Sequence, residues 1–350
     1  MKTQTMMKAM VLHRLADLCQ NRTPLTLEEL PIPVPTANEI LIKVRACGVC
    51  HTELDEIEGR TPPQHFPMIP GHQVVGRVIE RGEAVRSSLQ RGVRVGVAWI
   101  ASACGCCQHC LAGNDNLCPD FQATGRDVNG GYAQYLTVQE AFVHPIPECF
   151  SDSQAAPLLC AGAIGYRSLK LSGLKNGQRL GLTGFGSSAH LVLQMVRHRY
   201  PDSEVSVFAR KTAEQQFALE LGAAWAGAIG ADALQKLHAI IDTTPAWKPV
   251  VEALQALEPG GRLVINAIRK EDGDKEELLR LNYETHLWME KEIKSVANVA
   301  SSDVREFLAL AAEIPILAEV VEYPLEEANR ALLEIKEQRI RGAKVLILPD

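Results

Sequence analysis

Aromatic residues make up only 5% of this 350-residue chain, cations do not outnumber anions, and long apolar runs are missing. Each shortage excludes something. With 36 Lys and Arg against 42 Asp and Glu, the formal charge is −6, so nothing favours attraction to nucleic acid or anionic membrane. No stretch of ~18 residues is uniformly apolar, and no membrane span is expected. The longest segment without a charged residue that stands out, Val95–Asn114, carries Gln108, His109 and several cysteines and reads as a site. His13, Arg14 and Asp17 interrupt the N-terminal segment, so no secretory signal is expected there and a cytoplasmic location is. In a chain that is not exported, clustered thiols point to metal binding before disulfides. What is present is an ordinary folding composition, 46% hydrophobic and 22% charged. The length suits two or three domains at roughly 100–200 residues each.

The texture changes along the chain. Residues 8–150 carry short β-branched or alternating runs (EILIKVRACG, VVGRVIERG, YAQYLTV) punctuated by Gly and Pro. This half is expected to be a small antiparallel barrel or sandwich with long loops. From Ser151 the pattern alternates. SDSQAAPLLCAGAIGYRSLK reads as a helix capped by Ser151 or Asp152. RLGLTG, EVSVFA, LHAIID and RLVINAI read as strands, separated by the helical AHLVLQMVRH, AEQQFALELG and WKPVVEALQALEPGG. Repeated βαβ implies a parallel sheet covered by helices. The helices SDVREFLALAAE and EEANRALLEIKE and the strand AKVLIL close the chain.

Three motifs carry chemistry. In CGCCQHCLAGNDNLC, Cys104, Cys107 and Cys110 are three apart and Cys118 follows; four thiolates on one short excursion can enclose zinc tetrahedrally and leave no open position. Cys106 breaks that spacing and is taken as a bystander, and the alternative for the whole loop is a set of reduced or adventitiously oxidised cysteines. The second motif is dispersed: Cys50 in GVCHTE, His72 in PGHQVVG and Cys160 in PLLCAG. Singly, each has a bland explanation as a buried thiol or loop histidine. Together they form the Cys₂His set of an open catalytic zinc site, which general zinc chemistry associates with alcohol dehydrogenase. The third is TGFGSSAH, where Gly184, Gly186 and Ala189, with Ser187 between them, form G-x-G-x-x-A at a strand–helix junction. The glycines permit a tight turn and close approach of a pyrophosphate to the helix N-terminus. The next strand ends in Ala209, followed by Arg210 and Lys211. Two cations without a carboxylate favour NADP(H), with NAD(H) as the alternative.

These elements, in this order over roughly Lys8–Leu348, resemble the zinc-containing medium-chain alcohol dehydrogenases. The resemblance implies an α/β chain: a GroES-like β-rich catalytic domain (1–153, completed by 298–350) and a Rossmann doubly wound parallel sheet (154–297), with the active site in the cleft. It makes Cys50, His72 and Cys160 ligands of a catalytic zinc, and Cys104, Cys107, Cys110 and Cys118 ligands of a structural zinc. Thr52 matches a hydroxyl that bonds the substrate oxygen, and Glu53 a carboxylate that orients the ligand histidine. His51 matches a position approaching the cofactor pyrophosphate, and Trp99 a pocket-wall aromatic. Lys344 matches loosely a basic residue near the pyrophosphate; its other reading is a strand-edge lysine. The implied substrate is a small alcohol or aldehyde, with neither nucleic acid nor membrane as partner. A homo-oligomer is implied, tetramer before dimer.

The sequence departs from the family at three places. Gln73 replaces the glutamate that often follows the ligand histidine, Asp55 stands where many members have a histidine ending a proton relay, and Ile57 is smaller than the aromatic of some relatives, which would widen the pocket. Two other readings compete. An NADPH-dependent quinone or enal reductase of the same superfamily would generally lack the dispersed Cys₂His set. A zinc-stabilised, non-catalytic binding protein would hold one zinc rather than two.

Overall fold

The computed structural model describes residues 5–231, 235–314, 316, 318–337 and 343–349. The described residues fall into two compact units, one drawn from Met1–Cys160, Val299–Ala312 and Leu317–Asp350, the other from Ala161–Asn298 and Glu313–Ile316.

The first unit is built around the strand Glu39–Val49, whose apolar residues Ile40, Ile42 and Val44 are almost wholly buried. One edge pairs antiparallel with Gln73–Arg81. Its other edge is shared: residues 39–43 pair with Tyr135–Gln139, and residues 46–49 pair with the C-terminal strand Ala343–Ile347. Register shifts at Leu41/Ile42 and Val44/Ala46 bend it. Arg94–Val97 and Val143–Pro145 extend the sheet on one side, and Val320–Pro324 on the other. The end of the chain therefore completes the sheet begun at its start. The expected antiparallel β-rich assembly is present, and one hydrophobic cluster runs from Met7 to Leu348 through it.

The second unit holds a six-stranded, all-parallel sheet. In chain order its strands are Leu180–Thr183, Val205–Phe208, Trp225–Gly227, Leu237–Asp242, Leu257–Ile265 and Glu292–Ser295, and their spatial order is 3-2-1-4-5-6. This is the doubly wound dinucleotide-binding order. Leu180–Thr183 is buried at every position, as expected of a strand covered on both faces. The helix Ala189–Arg199 buries Leu191, Val192, Met195 and Val196, while Arg197, His198 and Arg199 occupy its last turn, where cations suit the helix dipole.

Two expectations change. The stretch read as one helix from Ser151 is three pieces: Asp152–Ala155, a 3₁₀ turn Ala156–Leu159, and Ala161–Ser172. Ser151 caps the first in a reciprocal box with Gln154. The break is at Cys160, whose φ −121° and ψ −79° are not helical. The stretch WKPVVEALQALEPGG is helical only over Lys248–Ala256. Strand pairing begins already at Leu257, which faces Leu237 across a register irregularity.

Candidate metal and cofactor sites

Cys50 is the N-cap of the helix His51–Ile57. Its amide donates to Glu53 Oε2 at 2.8 Å, and the amide of Thr52 donates to its Sγ at 3.4 Å. The other oxygen of Glu53 lies 2.5 Å from His72 Nδ1. One carboxylate thus fixes the turn that carries the thiol and the face of the imidazole, as expected of a residue standing behind a metal ligand. His72 follows Gly71, whose φ of +101° admits no ordinary side chain; a Cβ there would also strike the Tyr132 ring at 2.3 Å. The turn is fastened to residues 129–132, with Gly130 N, Gly131 N and Tyr132 N donating to the carbonyls of Ile69, Gly71 and Pro70.

Cys160 joins this pair because the helix breaks there. Ligand atoms of Cys50, His72 and Cys160 all lie within 4.8 Å of one another, and Cys50 Sγ is 3.8 Å from His72 Nε2. Two donors on one tetrahedral zinc would be about 3.6–3.8 Å apart, so the set fits the ion. Protons compete for the same donors. Sharing a hydrogen with Cys160, then burial, pushes the Cys50 thiol well up. Burial disfavours the charged imidazole of His72, but the Glu53 carboxylate and Cys50 outweigh it and hold His72 well above its usual value. Such protons are what a divalent cation displaces on binding.

Around the ligands is a buried polar layer that sequence reasoning missed. Glu56 is 1% exposed, and burial followed by the Glu53 charge raises its carboxyl well above the usual range, although the Trp99 side chain and the Arg126 charge oppose this. Gln73 Nε2 and the Tyr132 hydroxyl are also buried and meet no hydrogen-bond partner among the described residues. A signal for Glu56 was present: Glu53 and Glu56 are three apart in a short helix and share a face. Thr52 is half-buried and His51 exposed. Asp55 is buried and ion-paired with Arg60. Ile57, expected to widen a pocket, has no exposed surface and packs in the hydrophobic core. Trp99 stacks near Phe121 with ring centroids 5.4 Å apart, and the Arg126 guanidinium lies 4.9 Å from its centroid. Lys344 is 6% exposed, pairs with Glu334 at 3.4 Å and faces Tyr323; its strand lies between Val320–Pro324 and Glu39–Val49, so it is not a strand-edge lysine.

The four-cysteine loop is self-contained. Cys104, Cys107, Cys110 and Cys118 offer sulfurs within 4.8 Å of one another. Cys110 Sγ lies 3.6 Å from Cys107 Sγ and 3.9 Å from Cys104 Sγ, against about 3.8 Å for two thiolates on one zinc. Amides of Cys104, Cys107 and Cys110 point at the sulfurs of Cys118, Cys104 and Cys107. The amides of Cys106 and Cys107 draw the Cys104 thiol down to about 6. Cys106 is exposed and outside the ligand group.

In the second unit, Gly184 (φ +78°) follows the first strand and sits against Thr243 and Thr244; a Cβ would come 2.9 Å from Thr243 Oγ1. Gly186 faces open space, and both it and Ser187 are exposed. Ala189 is fully buried and opens the helix Ala189–Arg199, whose first-turn amides a pyrophosphate would meet. The turn therefore fits a dinucleotide. Ala209 is fully buried, while Arg210 and Lys211 are exposed and have no ion-pair partner among the described residues.

Known proteins resemble this chain over most of its length. Residues 36–148 match the alcohol dehydrogenase GroES-like domain. A Mycobacterium tuberculosis protein described as "Probable alcohol dehydrogenase AdhA" is 44% identical over 321 residues, 91% of each chain. An alcohol dehydrogenase of Moraxella sp. is 35% identical over 350 residues, 97% of this chain and 99% of that one. Among solved structures, a cinnamyl alcohol dehydrogenase of Sorghum bicolor superposes with a TM-score of 0.84 at 26% identity, covering 98% of both chains.

Proposed function

The chain belongs to the zinc-type medium-chain alcohol dehydrogenase family, and from that premise we propose that it interconverts a primary or secondary alcohol and its carbonyl compound, using two zinc ions per chain and preferring NADP(H) over NAD(H). The observation that carries the reading is the convergence of Cys50, His72 and Cys160 from three separate elements, with Glu53 behind the histidine. Such a set leaves a fourth coordination position for substrate, whereas the four-cysteine loop leaves none. Bound at the first site, zinc would supply Lewis-acid polarisation of the substrate oxygen, and a bound nicotinamide would supply hydride acceptance.

The remaining roles belong to the chain. Glu53 keeps the Cys50 turn closed and the His72 ring aimed. Thr52, two residues past Cys50, takes the alcohol proton and passes it outward, the relay ending at the cofactor ribose and water, and exposed His51 approaches the cofactor pyrophosphate. Asp55, held by Arg60, is a relay member only if that pair opens. Trp99 walls the substrate pocket. Arg210 and Lys211, with Ala209 where an acidic residue would bond the ribose, supply the preference for a 2′-phosphate. An NADPH preference would favour carbonyl reduction in the cell.

We also propose a homo-oligomer, tetramer before dimer. Glu292–Ser295 is an edge strand exposed at all four positions, and Ile293, Tyr283, Trp288 and Met289 leave apolar surface in the open nearby. Such an edge asks for a partner. The free state of all ten cysteines suits a cytoplasmic setting, and no helix among the described residues is long and apolar enough to cross a membrane.

The test is a metal count with a turnover assay. Two zinc ions per chain and alcohol-dependent reduction of NADP⁺ are expected. Thr52→Ala should lower kcat by about 10²-fold with the cofactor Kd unchanged. One zinc and no turnover across primary, secondary and aromatic alcohols would leave a zinc-stabilised protein without this activity.

A further inference from the structure

Asp242 ends the fourth strand of the parallel sheet and is 0% exposed. A carboxylate so placed needs a compensating charge, and Lys270 provides it from beyond the next strand. Its ammonium bonds Asp242 Oδ2, the carbonyl of Thr244 at 2.8 Å and that of Ala246 at 3.0 Å, which uses all three of its donors. The second oxygen of Asp242 accepts from the Thr244 hydroxyl at 2.8 Å and the Thr244 amide at 3.2 Å. Residues 243–246 are thus tied to the sheet by one buried ion pair.

This loop faces the glycine turn. Thr243 donates through its amide (2.9 Å) and hydroxyl (3.0 Å) to the carbonyl of Thr183, the last residue of the first strand. Thr243 and Thr244 supply the atoms nearest a Cβ at Gly184. The first and fourth strands are neighbours at the point where the strand order reverses. In open sheets of this kind the ligand lies outside the carboxyl ends of the strands at that point. The turn 184–188 is one lip of that crevice and the loop 243–246 is the other.

We propose that Lys270, acting with Asp242, is a positioning residue for the dinucleotide: it fixes the lip opposite the glycine turn and thereby sets how tightly the cofactor is held. The inference rests on the reading that this unit binds NAD(P)(H). Neither side chain is required to touch the cofactor, because Lys270 is 8% exposed and its donors are already used.

The double variant Asp242→Asn/Lys270→Met removes both charges, so no lone buried charge remains to unfold the chain. The measurement is NADPH and NADH affinity by the fluorescence change on binding, well below the melting temperature, with zinc content and kcat at saturating cofactor recorded alongside. We expect Kd for both cofactors to rise about tenfold, the weight of one charge-assisted hydrogen bond, with zinc content unchanged and kcat nearly so. Lys270→Arg, which keeps the pair but reshapes its bonds, should give a smaller rise and stands in if the double variant does not fold. A lower melting temperature with unchanged Kd would reduce the pair to a structural role and overturn the proposal. If the wild-type protein itself bound neither cofactor, the dinucleotide reading would fail, and this inference with it.

Discussion

The four-cysteine loop and the Cys50–His72–Cys160 set are made of similar donors and assembled in opposite ways. In the loop, sulfurs fourteen residues apart at most in the sequence are aimed by one another's amides, and most of them are partly or fully exposed. In the dispersed set, a helix cap, a turn fastened to the loop 129–132 and a broken helix each deliver one donor into a buried polar layer. Closing a short loop costs little entropy, so the first set needs only its own segment. The second needs the whole first unit to be folded. A local set can stabilise without shaping chemistry, whereas a dispersed one comes with a shaped surrounding that chemistry can use.

If the two sets divide labour in this way, Cys50→Ser will have the largest effect. It should lower kcat/KM by about 10²–10³-fold, as when one stabilising group is removed from a transition state, with the melting temperature little changed. Wild-type turnover in the folded variant would break the comparison from the chemical side. Glu53→Gln comes next: metal affinity at the dispersed site should fall about 10–100-fold in a competition titration with a chromogenic chelator, the loop zinc being retained. Cys110→Ser should do the reverse. One zinc per chain is lost and the melting temperature falls by several degrees, about 2–4 °C for each kcal/mol, while the protein that stays folded keeps most of its turnover. Turnover that collapses along with the loop would show that the local set is not merely structural. Cys106→Ser should be the smallest, leaving zinc content, melting temperature and turnover where they were; loss of a zinc ion would make Cys106 a ligand and overturn the spacing argument.

Much of this was legible before the fold. The alternation of strand-like and helix-like runs after Ser151 announced the parallel sheet, and the three-residue cysteine spacing announced the loop site, because both are properties of neighbours in the chain. Other features were not legible. The run from Ser151 to Lys170 is apolar and helix-like around Pro157; that proline marks a local interruption, but nothing local shows that the chain turns at Cys160 so as to bring its thiol to the other two ligands. The burial of Glu56 depends on what packs over one face of a single short helix. Lys344 could be assigned to Glu334 only once the last strand was seen against the helix Ala328–Lys336.

By itself the sequence determined much of the order of elements and the donor atoms that a metal would meet, because propensity, periodicity and ligand chemistry are carried by residues and their near neighbours. Only the tertiary structure decided which distant donors meet, which carboxylates lose their water and which lysine reaches across a sheet to a buried aspartate. Those outcomes depend on strand pairing and burial between segments far apart in the chain, and no local pattern encodes a distance.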